Sequence, residues 1–323
     1  MIARSIRSHW KIVLISLLGL VVIVLPWTVN PFRIRVFTLC GIYAIASTGL
    51  TLFMGFTGQI SIGQGAFFGI GAYTSGVLAK AGAPFIFAFL GSGLITGFIG
   101  LVVGVPCLRA RTFYLAMATL AFLLVMHTLF KNLVSITGGT SGLGGIPPAA
   151  IGPVSFAGFT EYYYLVWGIV AIVIYLFYRL TQSYIGLTFR AIGSNELAAE
   201  SLSANAFRFR LLSFCLCSFL AGIAGSLYAH LDRVITYESF TLEESVIFLI
   251  MAVIGGLGSI YGGLIGASIF TLIGEQLRIL ERAQIIIIGV MLIAIVIFIP
   301  HGIASLPDKV KGLITGGGRK TST

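Results

Sequence analysis

The 323-residue chain is 58% hydrophobic with a mean hydropathy of +1.05, and only 9% of its residues are charged, where a soluble domain carries about 25%. That excludes a soluble globular protein. The formal charge of +10 falls between apolar runs rather than on a polar domain, so it marks membrane sidedness and not nucleic-acid binding. Apolar runs of about 20 residues recur without strand alternation, which selects an all-α, polytopic integral membrane helical bundle over a barrel. The whole of residues 1–323 reads as one membrane domain.

In chain order, Arg4, Arg7 and Lys11 precede a first span, Ile12 to about Val29. Pro26, Trp27 and Asn30 supply no small-residue cleavage site, so the span is predicted to stay uncleaved with its N-terminus in the cytoplasm. A second span covers Ile34 to Phe53, and a Gly- and Ser-rich turn, Gly55 to Gly63, leads into a third from about Ile60 to Ala79. The fourth is Pro84 to Leu108 and the fifth Thr112 to Phe130; a long Gly- and Pro-rich break then reaches Thr160, and the sixth covers Tyr162 to Tyr178. After a polar stretch come a seventh (Leu211 to His230), a charged patch (Asp232 to Glu244), two short Gly-rich spans (Ser245 to Gly256, Ile260 to Gln276), a tenth (Ala283 to Ile299) and a basic tail. About ten transmembrane helices with both termini inside result. This threading puts thirteen Lys and Arg against three acids on the inner side and seven against seven outside, so the whole excess of +10 is internal, the positive-inside pattern.

The longest polar interruption is Ser183 to Arg210. Gly193, Ser194 and Asn195 offer a break and an N-cap, Glu196 falls in a first turn where the helix dipole favours an anion, and a short helix is predicted to about Ser203. Glu196 and Glu200 are four apart and share a face, so water screens them or a basic partner compensates. A solvated connector is the plain alternative. Within this stretch, the run Gly186, Leu187, Phe189, Arg190, Ala191, Ile192, Asn195, Glu196, Ala198, Ala199, Glu200, Leu202 and Asn205 resembles the cytoplasmic coupling loop of ABC importer permeases. With Phe53 to Tyr73 (FMGFTGQISIGQGAFFGIGAY) and Thr137 to Pro147 (TGGTSGLGGIP), it resembles the branched-chain amino acid permeases of the LivH and LivM type, LivM most closely, over nearly the whole chain. Ser203 stands where that family usually has Gly.

The resemblance implies a type II importer-like fold, residues 183–210 as the coupling loop, and residence in a bacterial inner membrane. It further implies a second homologous permease subunit, two ATP-binding cassette subunits, and a soluble extracytoplasmic substrate-binding protein. The path would carry Leu, Ile and Val, or urea and short amides as related permeases do. Coupling would run through Asn195, Glu196, Ala198, Ala199, Glu200 and Ser203, with the two acids meeting basic groups of the ATPase and the two alanines permitting close approach. Arg190 and Arg208 are placed to hold anionic lipid headgroups. Outside, Arg33, Arg35, Arg233, Arg278 and Arg282 are candidate docking points for the binding protein, or simply solvated charges, and Gly138 to Pro148 is a candidate contact or plug at the outer mouth.

Gln59, Ser61 and Gln64 border the third span. Amides in lipid need partners, so they line a translocation path or sit in a cytoplasmic hairpin, and the glycines around them allow a broken segment. A faint echo pairs Gly55, Gly58, Ile60 and Gly63 with Gly255, Gly258, Ile260 and Gly263. GxxxG steps at Gly93 and Gly97, Gly100 and Gly104, Gly65 and Gly69, and Gly258, Gly262 and Gly266 favour close helix packing. The ionisable groups near spans, His127, Arg179, His230 and Glu275, fall near predicted ends, which argues against an ion-driven carrier, though a self-sufficient carrier or channel stays the competing class. Cys40, Cys107, Cys215 and Cys217 indicate neither disulfide nor metal. No phosphate-binding loop occurs, so no nucleotide cofactor is expected and the fuel must come from another subunit.

Overall fold

In the computed structural model, the described residues are 25–277 except 28, 110, 111 and 202–204, together with residue 289. Most of the first predicted span, the tenth span, the basic tail, Ser203, Arg278 and Arg282 lie outside them. The helices are α1 (Pro31–Thr51), continued by a π-helical turn (Leu52–Phe56), then α2 (Gln64–Lys80), α3 (Phe85–Cys107), α4 (Thr112–Asn132), α5 (Val134–Thr137), α6 (Phe159–Gln182), α7 (Tyr184–Ser194), α8 (Glu196–Ser201), α9 (Ala206–Asp232), α10 (Leu242–Gly255) and α11 (Gly262–Leu277). Five of these are long and apolar enough to cross a membrane: α1 with its π turn, α3, α4, α6 and α9. The helices α2, α10 and α11 have 17, 14 and 16 residues, about 21–26 Å at 1.5 Å per residue, short of the roughly 30 Å hydrocarbon core.

The bundle is built around α1 and α9. Apart from partly buried Tyr43, the residues of α1 from Cys40 to Thr51 are all buried. The GxxxG steps of α3 act as packing surfaces: Gly93, Gly97, Gly100 and Gly104 lie against Phe219, Ser218 and Phe214 of α9, where a bare backbone lets the helices approach; Gly258, expected to begin another such series, lies in a turn before α11 with open space around it. Aromatic rings fill the interior, Phe67 meeting Phe214 at 5.5 Å and Phe68 meeting Phe248 at 5.2 Å, both edge-on, the favoured arrangement for such pairs. The four cysteines are free thiols.

Three features differ from the sequence-based expectation. The third span does not begin at Ile60: residues 58–63 are non-helical and α2 starts only at Gln64, because Gly58 takes a left-handed φ of 68° and turns the chain. The polar stretch holds two helices, α7 and α8, where one was expected. The long break after α4 is ordered, with four two-residue strands in this loop and the one between α9 and α10: β1 (Leu143–Gly144) pairs antiparallel with β4 (Val234–Ile235), and β2 (Ala150–Ile151) with β3 (Val154–Ser155). Gly142, at φ 74°, lies so close that a Cβ there would come 2.6 Å from the Ile235 carbonyl oxygen, and Leu143 and Ile146 are buried against Gly76 of α2.

Candidate functional site

Three side chains cap the turns of the polar end. Ser183 Oγ accepts from Gly186 N (3.4 Å) and starts α7, Asn195 Oδ1 accepts from Ala198 N (3.1 Å) and starts α8, and Asn205 Oδ1 accepts from Arg208 N (3.0 Å) and starts α9. Each satisfies an orphan N–H of a helix start. The acid-compensating base sits in the same chain: Arg210 Nη2 lies 2.5 Å from Glu196 Oε2, with the two side chains 16% and 41% exposed. Glu196 is therefore engaged by α9. Ala199 is 3% exposed and packs with Ile192 and Ala206, so it faces inward. The outward surface of α8 is Leu197, 79% exposed, with Ala198 and Glu200.

Beneath this surface, α7 rests on the π-helical turn of α1. The Arg190 guanidinium lies over the Phe56 ring, 4.9 Å from its centroid, a cation–π contact, and Arg190 and Arg208 are both exposed. Gly193 touches the Phe56 carbonyl so closely that any Cβ would collide with it. On its other side the turn meets the link between α10 and α11, Gly55 against the Leu257 backbone. The two halves of the faint glycine echo therefore touch in space.

The broken segment 58–63 climbs from the π turn into the bundle. Gln59, Ser61 and Gln64 are all buried. Gln64 Nε2 donates to Ala46 O at 2.9 Å and its Oε1 accepts from the Cys217 thiol at 3.2 Å; Ser61 Oγ accepts from Gly63 N at 3.4 Å, and Thr119 Oγ1 accepts from Ile62 N at 3.1 Å. Thr119 of α4 thus satisfies a backbone N–H that has left its helix, while the Gln64 amide is satisfied by the Ala46 carbonyl of α1 and the Cys217 thiol of α9, as a low-dielectric setting demands. Gly65 N donates to Ser245 Oγ at 2.8 Å, so the start of α2 meets the start of α10.

At the opposite end, Arg35 Nη2 pairs with Asp232 Oδ1 at 2.6 Å and Arg233 donates to the Ala157 carbonyl at 2.8 Å, beside a cleft of about 520 Å³ that Tyr162 and His230 also line. Arg33 is exposed. Buried His230 is held on both ring nitrogens: Nδ1 lies 2.9 Å from the Pro147 carbonyl and Nε2 3.1 Å from Ser75 Oγ, which accepts in turn from Ser226 Oγ at 2.7 Å.

The family described as the branched-chain amino acid transport system permease component matches residues 32–296. The chain belongs to that family. It is 29% identical over 318 residues to the high-affinity branched-chain amino acid transport system permease protein LivM of Salmonella typhimurium, covering 91% of this chain and 74% of the relative, and 29% identical over 317 residues to LivM of Escherichia coli K12, with the same coverage. The autoinducer 2 import system permease protein LsrC of Escherichia coli O157:H7 is 25% identical over 295 residues, 86% of this chain and 84% of that one. No solved structure matches.

Members of this family are transport components, so the chain is a membrane permease rather than an enzyme. In this permease the residues singled out from sequence form separate groups: Asn195, Glu196, Ala198, Ala199 and Glu200 at the α7–α8 end, Gln59, Ser61 and Gln64 in the broken segment, and Arg33, Arg35 and Arg233 at the far end. Two further residues went unnoticed in the sequence. Leu197 was passed over because an isolated Leu beside alanines reads as part of a buried face, and only the burial of Ala199 fixes which side of α8 is outward. Glu244 was counted with the outer charges, yet it is part-buried in the first turn of α10, next to Ser245, which is tied to the start of α2.

Proposed function

We propose that this permease is one membrane subunit of an ATP-driven importer in a bacterial inner membrane, carrying Leu, Ile and Val released to it by a soluble extracytoplasmic binding protein. A second homologous permease completes the path and two ATP-binding cassette subunits lie beneath. About ten helices form the full bundle, with both termini and residues 183–210 in the cytoplasm and the Arg35 end outside. The observation that carries the reading is the family match over residues 32–296, joined to a surface helix whose apolar Leu197 stands 79% exposed.

The contacts of α7 and α8 support a mechanical role. The α8 surface, Leu197, Ala198 and Glu200, fits a groove of the ATPase. When the cassettes close, force on α8 passes through Glu196 and Arg210 to α9, and through Gly193 and Arg190 to Phe56 on α1. These are the two central helices, so they tilt together as a rigid body. The π turn and the segment 58–63 lack regular α-helical hydrogen bonding and are where the backbone yields.

The test is reconstitution of the complete assembly in proteoliposomes, with ATP-dependent uptake of labelled leucine as the readout. Leu197→Asp and Glu200→Lys are each expected to lower ATPase stimulation by about fivefold or more, the scale of about 1 kcal/mol at a contact hot spot, while the thermal midpoint of the permease stays put. Leucine uptake by this chain alone, or unaltered stimulation in both variants, overturns the coupling assignment. Uptake of urea, a short amide or autoinducer 2 in place of leucine overturns the substrate.

A further inference from the structure

We infer that the corner where the end of α6, the start of α7 and the start of α9 meet seats the headgroup of an anionic phospholipid, with the Arg208 and Arg179 guanidinium groups on its phosphate. This holds for a permease in a bilayer whatever solute it carries. Helix α6 has 24 residues, about 36 Å at 1.5 Å per residue, so it crosses a hydrocarbon core of roughly 30 Å and its final turn reaches the headgroup layer. That turn presents exposed Tyr178 and Arg179, residue types that gather at membrane interfaces.

Only Ser183 separates α6 from α7, and α7 folds back on it: a Cβ at Gly186 would come 2.3 Å from the Leu180 carbonyl oxygen. The start of α7 therefore stays at the level where α6 ends. Its buried side, with Phe189 and Ile192, rests on the bundle, while Tyr184 and Leu187 stand 72% and 57% exposed. In water those two would be an uncovered apolar patch. At the boundary between headgroups and acyl chains, an aromatic ring and a Leu on an amphipathic helix are in their usual setting. The Tyr184 ring lies 6.5 Å from that of Phe209, so the first turn of α9, which carries Arg208, stands beside the first turn of α7.

The charge in this corner has one sign. No Asp or Glu occurs between Glu161 and Glu196, and Glu196 is taken by Arg210. The ion pairs among the described residues are Arg35 with Asp232 and Arg210 with Glu196, which leaves exposed Arg179 and Arg208 without a carboxylate of their own. Arg179 suits the last turn of α6, whose dipole favours a cation, but Arg208 stands in the first turn of α9, where the dipole opposes one. An arginine at the unfavourable pole of its helix calls for an anion from outside the chain. A phosphodiester offers oxygens that match the guanidinium fork, and the acyl chains attached to it cover Tyr184 and Leu187. A soluble anion would satisfy the arginine and leave that apolar surface bare.

The experiment purifies the complete assembly from membranes of equal parts phosphatidylglycerol and phosphatidylcholine and measures, by native mass spectrometry, which lipid stays bound. Wild type is expected to retain phosphatidylglycerol in preference. Arg208→Gln should lower that preference about fivefold, the scale of one basic residue at an anionic surface, and adding Arg179→Gln should lower it further. Arg33→Gln, at the opposite end, should leave it unchanged. If Arg208→Gln fails to assemble, Arg179→Gln decides. No preference in wild type, wild-type retention in the arginine variants, or an equal fall in Arg33→Gln, as a general pull of positive charge on lipid produces, overturns the inference. So does displacement of the lipid by glycerol phosphate added in water, which assigns the corner to a soluble anion, or a preference that appears only once the ATPase subunits are removed, which assigns it to them.

Discussion

The two ends of α9 are each tied down by an ion pair, and the pairs look alike: the partner on α9, Asp232 or Arg210, is 16% exposed, and the partner opposite, Arg35 or Glu196, about 40%. What they join is different. Asp232 binds α9 to α1, one long helix of the bundle to another, whereas Arg210 binds α9 to a six-residue helix on the surface. A bond inside the scaffold duplicates what helix packing already secures. A bond to a six-residue helix is a large part of what fixes it, since so short a helix has little stability of its own. The same chemistry is thus brace at one end and transmission at the other.

The largest effect is expected from removing the other attachment of the surface helices. Gly193→Val puts a branched side chain against the Phe56 carbonyl and should lift α7 from α1, at a cost of about 1–3 kcal/mol typical of overpacking, with leucine uptake falling more steeply than the amount of assembled protein. Next, Arg210→Glu sets two acids against each other at α8. Uptake should drop severalfold, with restoration by the exchanged pair Arg210→Glu, Glu196→Arg, while the thermal midpoint moves little because a part-exposed pair contributes only about 0.2–1 kcal/mol. Failure of the exchange to restore uptake would erase the distinction between brace and transmission. The smallest effect belongs to Asp232→Asn: the amide oxygen still accepts from Arg35, helix packing remains, and uptake should stay within about twofold of wild type, as the low worth of part-exposed pairs implies.

Much of this was legible from residue order. The apolar runs mark α1, α3, α4, α6 and α9 to within a few residues, because a helix in lipid must be apolar along its length. Asn195 announced its cap, and the glycine steps of α3 announced close packing. What stayed hidden depends on contacts between distant segments. Sequence gives no measure of depth, so Glu244 reads as a surface charge, although Ser245 beside it is buried against the start of α2. The inward turn of Ala199 is decided by Ile192 and Ala206, and a six-residue helix has too little periodicity to declare which side is buried. The helix α7 was missed because its polar residues resemble a loop until Phe189 and Ile192 are seen to be buried.

The fixed orientation of the bonds around His230 has a consequence for energetics. Ser226 gives its hydrogen to Ser75, Ser75 to the imidazole Nε2, and Nδ1–H to the Pro147 carbonyl. Each member points the same way, and the sequence of donors ends on a peptide oxygen, which has no proton of its own to release to the next site. A hydronium gradient finds no relay along this route, and the imidazole serves instead as a rivet between α2, α9 and the ordered loop above them.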